Sequence, residues 1–101
     1  MITIFTHTKP FKGHFGVIQN NAIKSWRAIS QEVEIIIYGD VDGADRIAKK
    51  VNANHIKNVS KSDNGMPLLS YLFEYTEKIA INNILCYINA DIILPPNLLD
   101  I

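Results

Sequence analysis

The chain has 101 residues, of which 48% are hydrophobic and 20% are charged, and its 10 basic residues balance its 10 acidic ones. This length predicts a single domain, 1–101, large enough to bury one core, and the composition excludes a disordered chain. The basic residues of the N-terminal third are too sparse for a nucleic-acid-binding stripe, so we expect no nucleic-acid partner.

The only cysteine is Cys86, which excludes an internal disulfide and favours a reducing, cytoplasmic location. The N-terminus has no signal-peptide pattern, and no apolar run approaches the ~20 residues of a membrane span. We therefore expect no transmembrane segment, which leaves peripheral association with a membrane open.

Strand-like and helix-like patterns alternate along the chain. Buried-strand and apolar-periodic segments predict strands at 2–6, 33–38, 55–59 and from residue 84, separated by helices at 15–29, 43–52 and 67–81. On the first helix, we expect Phe15 and Trp26 on the buried face, and Gln19 and Arg27 on the solvated face. The alternation predicts a three-layer α/β/α fold around an open parallel sheet with right-handed crossovers.

The fourth predicted strand runs into a polar turn. Five of the six residues from Ile84 to Asn89 are apolar and none is charged, which predicts a strand covered on both faces. Asn89 and Asp91 follow at its carboxyl end, and the small Ala90 between them permits a tight turn and close approach of a ligand. A strand end with an ordinary Asx turn is the alternative interpretation.

In open α/β sheets, ligands bind beyond the carboxyl ends of the strands. The predicted strand ends here are polar, at 6–9, 39–42, 60–65 and 89–91. The chain lacks the glycine fingerprints of dinucleotide and phosphate loops, and its histidines lack zinc-site spacing. His7 lies near this edge, but we expect a solvated loop histidine there. A candidate pocket and an ordinary set of polar loops both fit these observations.

The segment Leu85-Cys86-Tyr87-Ile88-Asn89-Ala90-Asp91 resembles the D-x-D segment of family 2-like glycosyltransferases with the GT-A fold, in which an apolar strand runs into Asp-Ala-Asp. Three other segments resemble the same family in the same order. They are the donor-binding loop after the first strand (Phe5, Thr6, Thr8, Lys9), the acidic turn after the second (Gly39, Asp40) and the Asn-x-Gly region before the third helix (Asn64, Gly65).

This resemblance implies a Rossmann-like N-terminal half with strand order 3-2-1-4. It also implies that this half binds a nucleotide diphosphate sugar, and a UDP-sugar is the donor that we expect. Asp91 would be the ligand of Mg²⁺ or Mn²⁺, which offsets the charge of the leaving diphosphate. Asn89 would contact the ribose or the metal, Asp40 would accept from the base, and Thr6 would line the base pocket. The acceptor, a glycan or lipid-linked glycan among the candidates, is not indicated.

The chain departs from the family pattern at Asn89, which replaces the first Asp, and at 68–70, where the usual Arg is missing. A non-catalytic nucleotide-binding or interaction module is therefore the main alternative. A receiver-like signalling domain is a third interpretation, although the acidic cluster that such domains carry near strand 1 is absent.

Only ten residues follow Asp91, and none of them is placed as a catalytic base, so we expect a partial transferase that is incomplete alone. We also expect the apolar side chains of Ile92, Ile93, Leu98 and Leu99 to be exposed or buried in a self-contact, which would favour a homo-oligomer.

Overall fold

A computed structural model describes residues 1–58 and 69–99 of the chain. Its elements in order are β1 (Ile2–His7), α1 (Gly13–Ile29), β2 (Glu34–Tyr38), α2 (Ala44–Lys50), β3 (Asn54–Ile56), α3 (Leu69–Ile79) and β4 (Ile84–Tyr87). The four strands of this part of the chain form one sheet, all parallel, in the order β3-β2-β1-β4. The predicted α/β class and strand order are confirmed, and the predicted element bounds agree to within a few residues where they fall on described positions.

Each face of the sheet carries its own core, because alternate residues of a strand point to opposite faces. On one face, Ile4 of β1 and Ile35 of β2 pack under α1 and α2, with Trp26 of α1 fully buried among them. On the other face, Phe5 of β1 and Tyr38 of β2 pack under α3. Helices on both faces complete three layers and leave the two ends of the sheet as the places where loops meet.

The core beneath α3 is aromatic. The Phe5 ring makes edge-to-face contacts with Phe73 and Tyr87, at centroid distances of 4.9 and 5.5 Å. The Tyr38 hydroxyl lies 2.6 Å from Thr76 Oγ1, so the buried hydroxyl of each residue has a partner. Aromatic pairs of this geometry are favourable beyond the area they bury, and they join β1, β2 and β4 to the third helix.

The prediction that β4 is covered on both faces is wrong. In the described part of the chain β4 pairs with β1 alone, and Ile84 is 59% exposed while Cys86 and Tyr87 are only partly buried. An unbroken apolar run is typical of a parallel strand covered on both faces, but β4 lies at the edge that the predicted strand order assigns to it, and part of it stays exposed. β3, predicted as an edge strand, does lie at the opposite edge.

Two assignments on α1 are also wrong. Gln19, predicted to be solvated, is 4% exposed, and Phe15, predicted to be buried, is 51% exposed. The Gln19 amide is buried because the backbone of Lys9 satisfies both of its polar atoms. Arg27 is half-buried, since its guanidinium donates to carbonyls beyond the helix end, including Val33 O and Val51 O, each at 2.7 Å.

Beyond β4, the side chains of Ile92, Ile93 and Leu99 are exposed as expected, whereas Leu98 is partly buried. Whether this surface supports a homo-oligomer stays a prediction. None of the helices within 1–58 and 69–99 combines the length and the apolar character needed to cross a bilayer.

Candidate functional site

A cavity of about 240 Å³ opens beyond the carboxyl ends of β1 and β4. The chain runs outward from β1 to β2 and β3, then returns to the other side of β1 with β4, so the strand order reverses between β1 and β4. Crevices at such reversals are the usual ligand sites of open α/β sheets. Three parts of the chain line this cavity. The end of β1 contributes His7 and Lys9, and α1 contributes Phe15, Ile18 and Gln19. The end of β4 contributes Tyr87, Asn89, Ala90 and Asp91.

The wall after β1 is attached to α1 by a paired hydrogen bond. Lys9 N donates to Gln19 Oε1, and Gln19 Nε2 donates to Lys9 O, both at 2.8 Å. β1 ends at His7, so the backbone of Lys9 has no neighbouring strand to pair with in the part of the chain that the structure describes. The side-chain amide of Gln19 supplies both of the hydrogen bonds that a strand would have made. The loop is therefore anchored where it borders the cavity.

The wall after β4 is attached to the same helix. Trp26 Nε1 donates to Ile92 O at 2.9 Å, and Leu94 N donates to Ser25 Oγ at 3.0 Å. Asp91 immediately precedes this attached segment, and Ile92 N closes the turn on Asn89 O at 3.1 Å. One helix thus holds both walls, which limits how far they can separate.

The β1 wall carries the basic groups and the β4 wall carries the acid. Lys9 and His7 lie on one side and Asp91 on the other. Burial, followed by the positive charge of Lys9, lowers the pKa of His7 below its usual 6.5. This shift favours the neutral form of His7, whose ring lies beside that of Tyr87 with the centroids 6.0 Å apart. Burial also raises the pKa of the Tyr87 hydroxyl.

Four of the predicted donor-binding residues line this cavity, namely Lys9, Asn89, Ala90 and Asp91. Phe5, Thr6 and Thr8 are buried and are not among the residues that line it. The Phe5 carbonyl accepts a hydrogen bond from Ile88 N at 3.2 Å and so joins the ends of β1 and β4. Thr8 Oγ1 has no hydrogen-bond partner in the described part of the chain. Asn64 and Gly65 lie outside the described residues.

Asp40 lies at a second opening, of about 570 Å³, beyond the ends of β2 and β3. Lys12 and Asp42 form a salt bridge there at 3.3 Å, and His55 Nε2 lies 2.7 Å from Gly39 O. Because a carbonyl only accepts, Nε2 is the protonated nitrogen of His55. Within the described ranges, this opening and the cavity between β1 and β4 share no lining residue, so Asp40 lies apart from Lys9, Asn89, Ala90 and Asp91.

Sequence reasoning placed His7 near this edge but did not predict that it lines the cavity, and it missed the contributions of Gln19 and Tyr87. His7 is half-buried, so the expectation of a solvated loop histidine is wrong. Strand pairing offers the signal that could have found Tyr87, because Tyr87 lies opposite Phe5 in the β1–β4 register and His7 follows two residues later on the same face. No pattern in the sequence indicated Gln19.

The oxygen atoms at the β4 wall suit a divalent cation in part. Mg²⁺ and Mn²⁺ prefer oxygen ligands, and Mg²⁺ is commonly held by one or two carboxylates together with substrate phosphates. The cavity offers the Asp91 carboxylate and the Asn89 amide oxygen. Within residues 1–58 and 69–99, no three His, Cys, Asp or Glu side chains are grouped as a metal site. The donor set therefore fits a cation shared with a phosphate-bearing ligand better than one held by the protein alone.

The fold and this cavity define an open, Rossmann-like α/β sheet with a crevice of mixed polar and apolar lining at the reversal of strand order. A scan of protein-family models, a search of curated proteins and a search of solved structures each found no match to this chain. The resemblance to glycosyltransferases stays a prediction that rests on the residues themselves.

Proposed function

We propose that this chain is the donor-binding part of a family 2-like glycosyltransferase, which takes a nucleotide diphosphate sugar, first of all a UDP-sugar, between β1 and β4. The observation that carries the proposal is the cavity itself. It lies at the reversal of strand order, and it presents Lys9 on one wall and Asn89 and Asp91 on the other. A ligand that bears both an anionic diphosphate and hydroxyl groups matches these walls.

Asp91 would hold Mg²⁺ or Mn²⁺ together with the phosphates, and the cation would supply neutralisation of the leaving diphosphate. Asn89, exposed in the turn, would hydrogen-bond the ribose through its amide. Asp40 would accept an N–H of the base if the nucleoside reached the opening beyond β2. The acceptor would be a glycan or a lipid-linked glycan.

A second candidate is a non-catalytic module that binds a nucleotide or nucleotide sugar. It is favoured because Asp91 is the one carboxylate that lines the cavity within the described residues, and an amide stands at residue 89. Among residues 1–58 and 69–99, no second carboxylate lines the cavity to serve as the base that an inverting transfer needs. Binding without turnover would fit this arrangement.

Calorimetric titration of the chain with UDP, with and without Mn²⁺, tests the proposal. We expect Mn²⁺ to tighten UDP binding, and we expect Asp91→Asn to abolish that enhancement while the circular dichroism spectrum stays unchanged. Asn89→Ala should weaken binding by no more than about 1 kcal/mol, the net worth of a neutral hydrogen bond. An enhancement that persists in Asp91→Asn would exclude the metal role of Asp91.

Turnover separates the two candidates. The chain is incubated with nucleotide sugars, Mn²⁺ and a panel of glycan acceptors, and the release of nucleotide diphosphate is measured. Acceptor-dependent release above the rate of hydrolysis supports a transferase. Metal-independent binding with no release supports the binding module, and no binding of UDP to the wild type contradicts both.

A further inference from the structure

We propose that Lys9 is the group that binds the diphosphate in the cavity between β1 and β4, and that Gln19 and Phe15 of α1 position it there. The identity of the ligand as a nucleotide diphosphate rests on the proposed function. The claim that Lys9 binds a diphosphate anion does not depend on it. Three observations carry it: the backbone of Lys9 is anchored, its ammonium lies over an aromatic ring, and its charge has no acidic partner among the described residues.

The backbone of Lys9 is anchored by a side chain that is itself buried. Gln19 is 4% exposed and makes both of its hydrogen bonds to Lys9, each 2.8 Å long. A lysine in an ordinary loop must be ordered when it binds an anion, and this ordering opposes binding. At Lys9, the backbone part of that ordering is complete before the ligand arrives.

The side chain of Lys9 lies along the ring of Phe15, with Nζ 4.6 Å from the ring centroid. Phe15, an apolar residue on the first turn of α1, is 51% exposed and lines the cavity together with Lys9. The face of an aromatic ring attracts a cation. Phe15 therefore favours positions of the ammonium beside the cavity that both residues line.

The charge of Lys9 is not used within the described part of the chain, where no carboxylate lies within ion-pairing distance of its Nζ. Lys12, in the same loop, is different because it pairs with Asp42 at 3.3 Å. The ammonium of Lys9 therefore makes the β1 wall positive, and this charge adds to burial in lowering the pKa of His7. An anion that enters the cavity would meet this charge from one side.

An ammonium ion recognises phosphate as a point charge. Uridine has no phosphate, whereas UDP and inorganic pyrophosphate both carry the diphosphate. The role of Lys9 should therefore appear as a loss of affinity for UDP and pyrophosphate that is not seen for uridine.

The test is titration of the full chain with UDP, uridine and pyrophosphate, each at low and high salt. Lys9→Met keeps an unbranched apolar stem against Phe15 but removes the charge, and Lys49→Met, at an exposed residue of α2 outside the cavity, controls for net charge. We expect Lys9→Met to weaken UDP and pyrophosphate binding roughly tenfold to a hundredfold. The binding of UDP and pyrophosphate to Lys9→Met should also depend less on salt than their binding to the wild type. Lys9→Met should bind uridine as tightly as the wild type does. Lys49→Met should bind all three ligands as tightly as the wild type does.

The positioning role of Gln19 is tested by a double-mutant cycle. Gln19→Leu should weaken UDP binding when Lys9 is present, and it should have no further effect when Lys9 is already Met. A purely structural role would weaken binding equally in both backgrounds and would overturn the positioning claim. Circular dichroism and unfolding curves check that each variant is folded at the titration temperature.

The failure of this inference differs from the failure of the proposed function. If UDP binds and Lys9→Met behaves like Lys49→Met, the inference is overturned and the proposed function stands. If the wild type binds pyrophosphate through Lys9 but does not bind UDP, the inference stands and the proposed function fails. If neither ligand binds, both are overturned.

Discussion

Gln19 and Lys9 hold each other through two hydrogen bonds of 2.8 Å, one to the backbone N–H of Lys9 and one to its carbonyl. This contact joins the middle of α1 to the loop that follows β1. The same helix holds the segment after β4 through Trp26 and Ser25. The candidate cavity is therefore bounded by two loops that share one rigid support, which is how a site is kept in shape before a ligand binds.

Replacing Gln19 should destabilise the protein. Gln19→Leu keeps most of the side-chain volume but removes both hydrogen bonds, and we expect the free energy of unfolding to fall by about 1–3 kcal/mol. Urea denaturation followed by circular dichroism measures the change. Asn21→Ala, at an exposed residue of the same helix, is the control and should stay within about 0.5 kcal/mol of the wild type. Equal stabilities of Gln19→Leu and the wild type would show that the contact contributes nothing.

Trp26 should stabilise the fold through both its volume and its N–H group. Trp26→Phe loses the bond to Ile92 O and leaves space in the core under α1, so we expect a loss of about 1–3 kcal/mol. Ser25→Ala removes the neighbouring bond to Leu94 N without emptying the core, and its loss should be smaller. Thermal unfolding of the two variants compares them, and the reverse order of stability would refute this interpretation.

Gly43 should tolerate alanine less well than Gly39. Both have positive φ, +90° and +111°, so alanine is strained at either position, by about 1–2 kcal/mol. At Gly43, a Cβ would also lie 2.6 Å from Phe11 Cβ, whereas at Gly39 it would meet nothing within 4 Å. Unfolding curves should therefore show a larger loss for Gly43→Ala. If the two variants lose the same stability, Phe11 moves aside without cost.

His7 should make stability depend on pH in one direction. Its pKa in the folded state is lowered from 6.5, so below that pH the unfolded chain binds more protons than the folded chain. Neutral His7 therefore gives the highest free energy of unfolding above pH 6.5, and this free energy falls as the pH drops through 6.5 toward the pKa of His7 in the folded state. We expect wild-type urea midpoints to decrease between about pH 7.5 and about pH 5, and His7→Gln to reduce that decrease. An identical decrease in both proteins would contradict this expectation.

The alternation of strands and helices could be predicted from the sequence because each element carries its own local signal. Ile4 and Ile35 lie in apolar runs, and Ala22, Ile23 and Trp26 recur at helical spacing, so these residues are buried wherever the elements pack. The polar residues at the strand ends followed from the same reasoning, since parallel strands place their carboxyl ends together. Strand order came only from the family resemblance, because right-handed crossovers alone permit more than one order.

Tertiary structure decided which side chains are partnered, and this is where sequence reasoning failed. Gln19 looks like a solvated helix residue, yet it is buried because the backbone of Lys9, ten positions earlier, satisfies its amide. Phe15 looks like a core residue, yet it is exposed beside the ammonium of Lys9. β4 looks like a strand covered on both faces, yet Ile84 is 59% exposed and the rest of the strand is only partly buried. Hydrophobic periodicity reports the type of each side chain and its spacing along one element, whereas burial depends on partners from other segments, which no local pattern contains.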